Sequence, residues 1–208
     1  MIEVTEQISA VQRQVGTRAV EAGAARTLTI SQRYDTTLED LWDACTSPER
    51  IGRWFLPVSG DLRPGGRFQI EGNASGTVER CEPPRQFAAT WEFGGQVSWI
   101  EVTLSAEADG GALLKLEHIA HVDDQIWAQF GPGAVGIGWD MGFLGLARHL
   151  SSGQPADRRR AAEWLSSPDG KRFVAMSSDL WRDASIAAGT SAAGAAAAAD
   201  RCAMAYGG

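Results

Sequence analysis

The stretch from Gly131 to Leu150 (GPGAVGIGWDMGFLGLARHL) reads as an apolar helix threaded with glycine, placed directly after a run of strand-like segments. Gly138, Gly142 and Gly145 recur at helical spacing and share one face. In a helix interior each costs roughly 1 kcal/mol relative to alanine, so the three together cost roughly 3 kcal/mol. A cost of that size implies a packing reason, either close approach to a sheet or room for a ligand between helix and sheet. The glycines are therefore expected to face the sheet or the first short helix, with Trp139 and Phe143 overlooking a cavity.

The strand signal precedes this helix. Thr27 to Tyr34 alternates apolar or β-branched residues with polar ones. Further runs cover Gly66 to Glu71, Gly76 to Cys81, Gln86 to Phe93, Val97 to Ala106 and Ala112 to His121. Short turn signals separate most of them: Glu71-Gly-Asn, Glu82-Pro-Pro, Gly94-Gly95 and Asp109-Gly-Gly111. This order predicts an antiparallel meander. Parity puts Phe68 and Ile70, Phe87, Ala89, Trp91 and Phe93, Ile100, Val102 and Leu104, and Leu114, Leu116 and His118 on inward positions of their strands. So apolar a face needs a cover, and the glycine-threaded helix is the natural one.

Two short helices are expected after the first strand. One is capped by Asp35 or Thr36 with a stripe of Leu38, Leu41, Trp42 and Cys45, and the other begins at Ser47-Pro48. At the N-terminus, Ile8, Val11 and Val15 behind Thr5 predict a helix over residues 5–15, and Gly16 to Ala25 reads as a linker. The last third predicts helices over Arg159 to Leu165 and Pro168 to Ala188, ending at Gly189. A docked alanine-rich helix capped by Thr190 follows, reaching Tyr206. The domain reading is an N-terminal helix and linker (1–25), a main domain (26–152) and a C-terminal helical extension (153–208).

Particular residues sharpen this order. The run Trp42 to Phe55 (WDACTSPERIGRWF), Pro64-Gly-Gly-Arg-Phe68, the segment from Val78 through Pro83-Pro84 to Thr90-Trp91-Glu92, Glu117-His118 and Gly138-Trp139-Asp140 stand in sequence. Together they resemble the bacterial SRPBCC proteins related to the C-terminal domain of the activator of the 90-kDa heat-shock chaperone ATPase. The resemblance covers about residues 26–150. It implies an α+β helix-grip fold (START-like, Bet v 1-like), a curved antiparallel sheet around a long helix with an apolar cavity between them. It also implies a ligand that is lipid-like, polyketide-like or otherwise hydrophobic, and in some members cyclisation or dehydration within the pocket. The eukaryotic co-chaperone uses a separate N-terminal domain that residues 1–25 are too short to replace, which counts against chaperone activation.

Composition narrows the function classes. With 208 residues and 44% hydrophobic content, one principal core is expected. The net charge of -7 and the lack of a basic cluster interleaved with aromatics speak against nucleic acid. The run Arg158-Arg159-Arg160 reads as a solvated helix start. No secretory leader or membrane insertion is expected, so the protein is read as cytoplasmic. Cys45, Cys81 and Cys202 fit neither a disulfide framework nor a zinc knuckle, and no metal or other cofactor is expected.

His118 is the candidate acid-base residue, because it shares parity with inward leucines; the favoured reading is nonetheless a core histidine with both nitrogens satisfied, or a pocket wall orienting a polar ligand atom. Phe68, Trp91, Phe93, His118, Trp139 and Phe143 are the expected ligand-binding residues. The resulting reading is a carrier or sensor for a small hydrophobic or aromatic molecule. The alternatives are a polyketide-type cyclase or dehydratase using His118, and an interaction or co-chaperone-like protein acting through its C-terminal helices, for example as a homodimer.

Overall fold

In a computed structural model the described residues are 3–21, 23–155 and 157–207; Ala22, within the expected linker, lies outside them. The chain forms two compact units. One comprises Met1–Ile30, His121–Leu144 and Asp157–Gly208, and the other Ser31–Ala120 and Gly145–Ala156. The class is α+β, with an eight-stranded sheet and eight helices among the described residues.

In the unit built on Ser31–Ala120, β3 (Val58–Gly60), β4 (Arg67–Ile70), β5 (Ser75–Glu82), β6 (Gln86–Phe93), β7 (Gln96–Ala106) and β8 (Ala112–Ala120) form an antiparallel meander. The five expected runs all become strands, because period-2 alternation and glycine or proline separators agree. β3 is an addition, three residues that pair Val58 with Ile70. Parity describes the core well: Phe68, Ile70, Val78, Ala89, Ile100, Val102, Leu104, Leu114 and Leu116 are buried.

After the strand ending at Tyr34 come α2 (Leu38–Thr46) and α3 (Pro48–Trp54). Thr37, not Asp35 or Thr36, caps α2, its hydroxyl accepting from the Asp40 amide at 3.2 Å. Thr36 instead donates its hydroxyl to the Asp40 carboxylate at 2.6 Å. The fully buried positions of α2 are Leu41 and Ala44; Trp42 is half-buried and meets the Phe87 ring edge-on at 6.2 Å.

In the other unit the N-terminal reading changes. Helix α1 spans only Val4–Ala10, and β1 (Val11–Val20) turns into β2 (Gly23–Tyr34) where a linker was expected. Val11 and Val15 fit a helical interval, but they also share strand parity, and that parity carries Arg13 to the buried side with Val11. Helix α4 (Asp124–Phe130), unanticipated, precedes α5 (Gly133–Ser152). The helices α6 (Arg158–Leu165), α7 (Pro168–Ala187) and α8 (Ala192–Gly207) follow as expected, except that the Ser191 hydroxyl, not Thr190, accepts from the Gly194 amide at the start of α8. Val4, Ile8, Leu144 and Phe173 make a core cluster, with Met141, Trp164, Met176 and Leu180 packed against it.

Candidate functional site

His118 sits on β8 directly opposite Ile100, while Trp91 on β6 is opposite Ser98, and Ser98 in turn is opposite Ala120. Residues opposite each other in an antiparallel ladder share a face, so the imidazole reaches diagonally across one apolar face to the serine. His118 Nε2 lies 2.8 Å from Ser98 Oγ, and Ser98 Oγ donates to the Trp91 carbonyl at 3.1 Å. A hydroxyl has one proton to give; with that proton on the carbonyl, Ser98 accepts from a protonated Nε2. The ring is 7% exposed, and burial pushes its pKa down to about 4. At neutral pH His118 is therefore an uncharged, oriented polar group among aliphatic side chains. Proton shuttling near neutrality is served best by a group titrating close to pH 7, and this one is displaced well below that range.

Phe68 is buried on β4 opposite Gly76. A methyl at Gly76 would stand 2.8 Å from the ring's Cζ, so the missing side chain is what lets the phenyl lie over β5. Trp91 is half-buried. Phe93 departs from the inward, covered position that parity predicts: it is 58% exposed. It is the last residue of β6, opposite Gln96 across the Gly94-Gly95 turn, where the hairpin runs past its packing. Phe68, Trp91 and His118 thus share one unit. Trp139, half-buried, and Phe143, buried, belong to the α5 segment of the other.

The glycines of α5 meet different neighbours from those expected. A side chain at Gly145 would run into the backbone carbonyl of Trp54, at the end of the second short helix rather than the first. Gly138 lies near the Tyr206 hydroxyl of α8, with 3.5 Å to an added methyl, and Gly136 has the Trp181 indole of α7 pressed against it. Gly142 is buried.

One cluster went unread in the sequence. Asp140, 1% exposed on α5, receives Arg13 Nε on Oδ2 at 3.1 Å and Arg13 Nη2 on Oδ1 at 2.8 Å. Ser177 Oγ donates to Oδ2 at 2.5 Å, and Trp181 Nε1 does so at 2.9 Å. Arg13 Nη1 also donates to the carbonyls of Val11 (2.9 Å) and Ile8 (3.3 Å). A buried carboxylate supplied with four donor contacts is a fastening between β1, α5 and α7. The available signal was a lone acid in an apolar helix, since a charge there requires partners.

Other reactive groups are quiet. Burial pushes the Cys45 thiol up to about 12 and the Cys202 thiol up to about 11, so neither is a ready thiolate. Among the described residues no group of three or more His, Cys, Asp or Glu side chains is placed to hold a metal ion, and no helix is long and apolar enough to cross a membrane. An open pocket of about 440 Å³ lies beside Arg26, His121 and Asp124, and none of the expected residues lines it. There Arg26 stacks 4.5 Å over the Trp127 ring and pairs with Asp124 at 2.6 Å.

Comparison with known proteins agrees with this architecture. The crystal structure of CalU16 from Micromonospora echinospora is 36% identical, over 87% of this chain and 99% of its own, with a TM-score of 0.67. The solution structure of CalU16 is 37% identical over 86% and 95%, with a TM-score of 0.69. PFC0360w, an HSP90 activator from Plasmodium falciparum, shares the fold at 22% identity over 62% of this chain and 97% of its own, with a TM-score of 0.52. No protein of curated function matches. The fold is the helix-grip type of these SRPBCC neighbours. The model of the Activator of Hsp90 ATPase homolog 1-like proteins matches residues 35–151, more than half of the sequence, and the chain belongs to that family.

Proposed function

We propose that the protein is a cytoplasmic carrier or sensor that binds a small hydrophobic or aromatic molecule against the apolar face of its sheet. The observation that carries this reading is a single oriented, uncharged histidine on that face, His118, held by Ser98. Phe68, Trp91 and the aliphatic row around Ile100 supply apolar surface, and the imidazole supplies one polar contact. The depressed pKa of His118 supports binding over acid-base turnover. The C-terminal helices turn Phe173, Val174, Trp181 and Cys202 inward, which supports an internal role for them.

The test is a panel of apolar and aromatic metabolites added to the full chain, read by thermal unfolding and tryptophan fluorescence. Preferential binding to the folded state raises the midpoint. His118→Ala is expected to weaken binding modestly, and Trp91→Leu to reduce the quenching. A panel that shifts neither signal removes the reading.

A further inference from the structure

The C-terminal turns of α5 carry a second histidine in a different electrostatic setting. His149 is buried, and Arg50 of α3 donates its Nε hydrogen to His149 Nε2 at 3.0 Å. A guanidinium has hydrogens only to donate, so Nε2 must be the bare nitrogen and the neutral ring carries its proton on Nδ1. Nδ1 is itself buried without a hydrogen-bond partner. Arg50 is held in turn by two carboxylates of α2, Asp40 at 3.0 Å and Asp43 at 2.9 Å from Nη1. Two further ties bring α3 to the same end of α5: Arg53 Nη2 donates to the Gly153 carbonyl at 3.2 Å, and the Trp54 carbonyl lies against Gly145.

We propose that the Arg50–His149 contact is an acid-released latch holding α3 on the C-terminal end of α5. A proton added to Nε2 occupies the lone pair that Arg50 uses and sets two cations about 3 Å apart, the present separation of the bonded nitrogens. The charged groups around the ring do not offset this evenly. Burial opposes a charged imidazole most, and Arg50 and Arg53 from α3 oppose it too, while the Gln154 backbone and Asp40 from α2 favour it; Arg148 is its neighbour on α5. Asp40 is held below the usual carboxylate range by the Thr36 hydroxyl and by Arg50, so it stays ionised and keeps hold of Arg50 as the histidine charges. Arg50 then remains with α2, the ring nitrogen is lost as a partner, and α3 detaches from the helix end. This device is independent of whether a ligand occupies the sheet face.

Hydrogen exchange on the full chain at about pH 8 and about pH 5, corrected for the intrinsic pH dependence of amide exchange, tests it. Peptides from α3 are expected to lose severalfold more protection at the lower pH than those from β6 and β7, whose own loss follows the global destabilisation that protonation of His118 brings. In His149→Gln the side-chain oxygen accepts from Arg50 at either pH, and the excess disappears. A loss in α3 no greater than that in β6 and β7 in the parent chain overturns the proposal, as does a Gln variant that keeps the excess. Should that variant fail to fold, ring ¹⁵N shifts of the parent decide. A neutral His149 protonated on Nδ1, becoming doubly protonated as protection falls, supports the latch, and a neutral ring protonated on Nε2 overturns it.

Discussion

The Arg13 guanidinium grips the Asp140 carboxylate through two parallel N–H···O contacts, 3.1 and 2.8 Å long, with both side chains under 5% exposed. The pair joins a strand near the N-terminus to the middle of α5, and Trp181 and Ser177 add α7 to the same carboxylate. Removing one member of a buried, hydrogen-bonded ion pair strands the other charge, which typically costs about 3–5 kcal/mol. Arg13→Ala and Asp140→Ala are each expected to lower stability in that range. Urea unfolding monitored by tryptophan fluorescence gives the value, and the double variant should fall well short of the sum.

The C-terminal helices belong to the same fastening. Deleting residues 157–208 removes Ser177, Trp181 and Phe173, leaving Asp140 with Arg13 alone and uncovering Val4, Ile8 and Leu144. The expected product is aggregated or lacks fixed tertiary structure by near-ultraviolet circular dichroism. A monodisperse, cooperatively unfolding fragment would contradict this account.

Two glycines of α5 make opposite predictions. Alanine gains about 1 kcal/mol of helix propensity at either site. At Gly136 the new methyl meets the Trp181 indole, which its bond to Asp140 holds in place; overpacking of about 1–3 kcal/mol wins, and Gly136→Ala destabilises. At Gly138 the methyl finds the Tyr206 hydroxyl at 3.5 Å, ordinary contact, so Gly138→Ala is neutral or stabilising by up to about 1 kcal/mol. Thermal midpoints of the two variants compare them directly.

His118 makes stability fall in acid. Its pKa drops from an unfolded value of 6.5 to about 4 on folding, so the unfolded chain binds the proton more readily. The contribution is complete above about pH 6.5 and is lost as the pH falls through about 4, with a size of roughly 3 kcal/mol. His118→Gln should flatten the stability profile between those limits. Denaturant midpoints measured across that interval would show a slope equal to that of the parent if the histidine did not titrate there.

Much of the sheet was legible because strand geometry imposes a two-residue repeat on burial. Gln86–Phe93 and Ala112–Ala120 carry that repeat cleanly between turn residues. β3 is too short to show a period, and α4, DQIWAQF, has no fully buried residue to mark a stripe. The segment after Ala10 satisfied two periods at once, because Val11 and Val15 fit either, and its strand pairing resolved it. Within the candidate site, His118 was visible from parity with its leucine neighbours. Ser98 was not, since a serine in a strand announces nothing until the register brings it beside an imidazole.

The sequence by itself determined the element order, the apolar face of the sheet and the family resemblance, because propensity, turn chemistry and side-chain period act over a few neighbouring residues. Only the tertiary structure decided that Arg13 answers Asp140 across 127 positions, that Trp181 occupies the space left by Gly136, and that Arg50 leans on His149 across 99. A buried charge or a missing side chain states a need, and no local rule says which distant segment meets it. That choice is made by packing, when burial excludes water and leaves each polar group with only the partners the fold brings within reach.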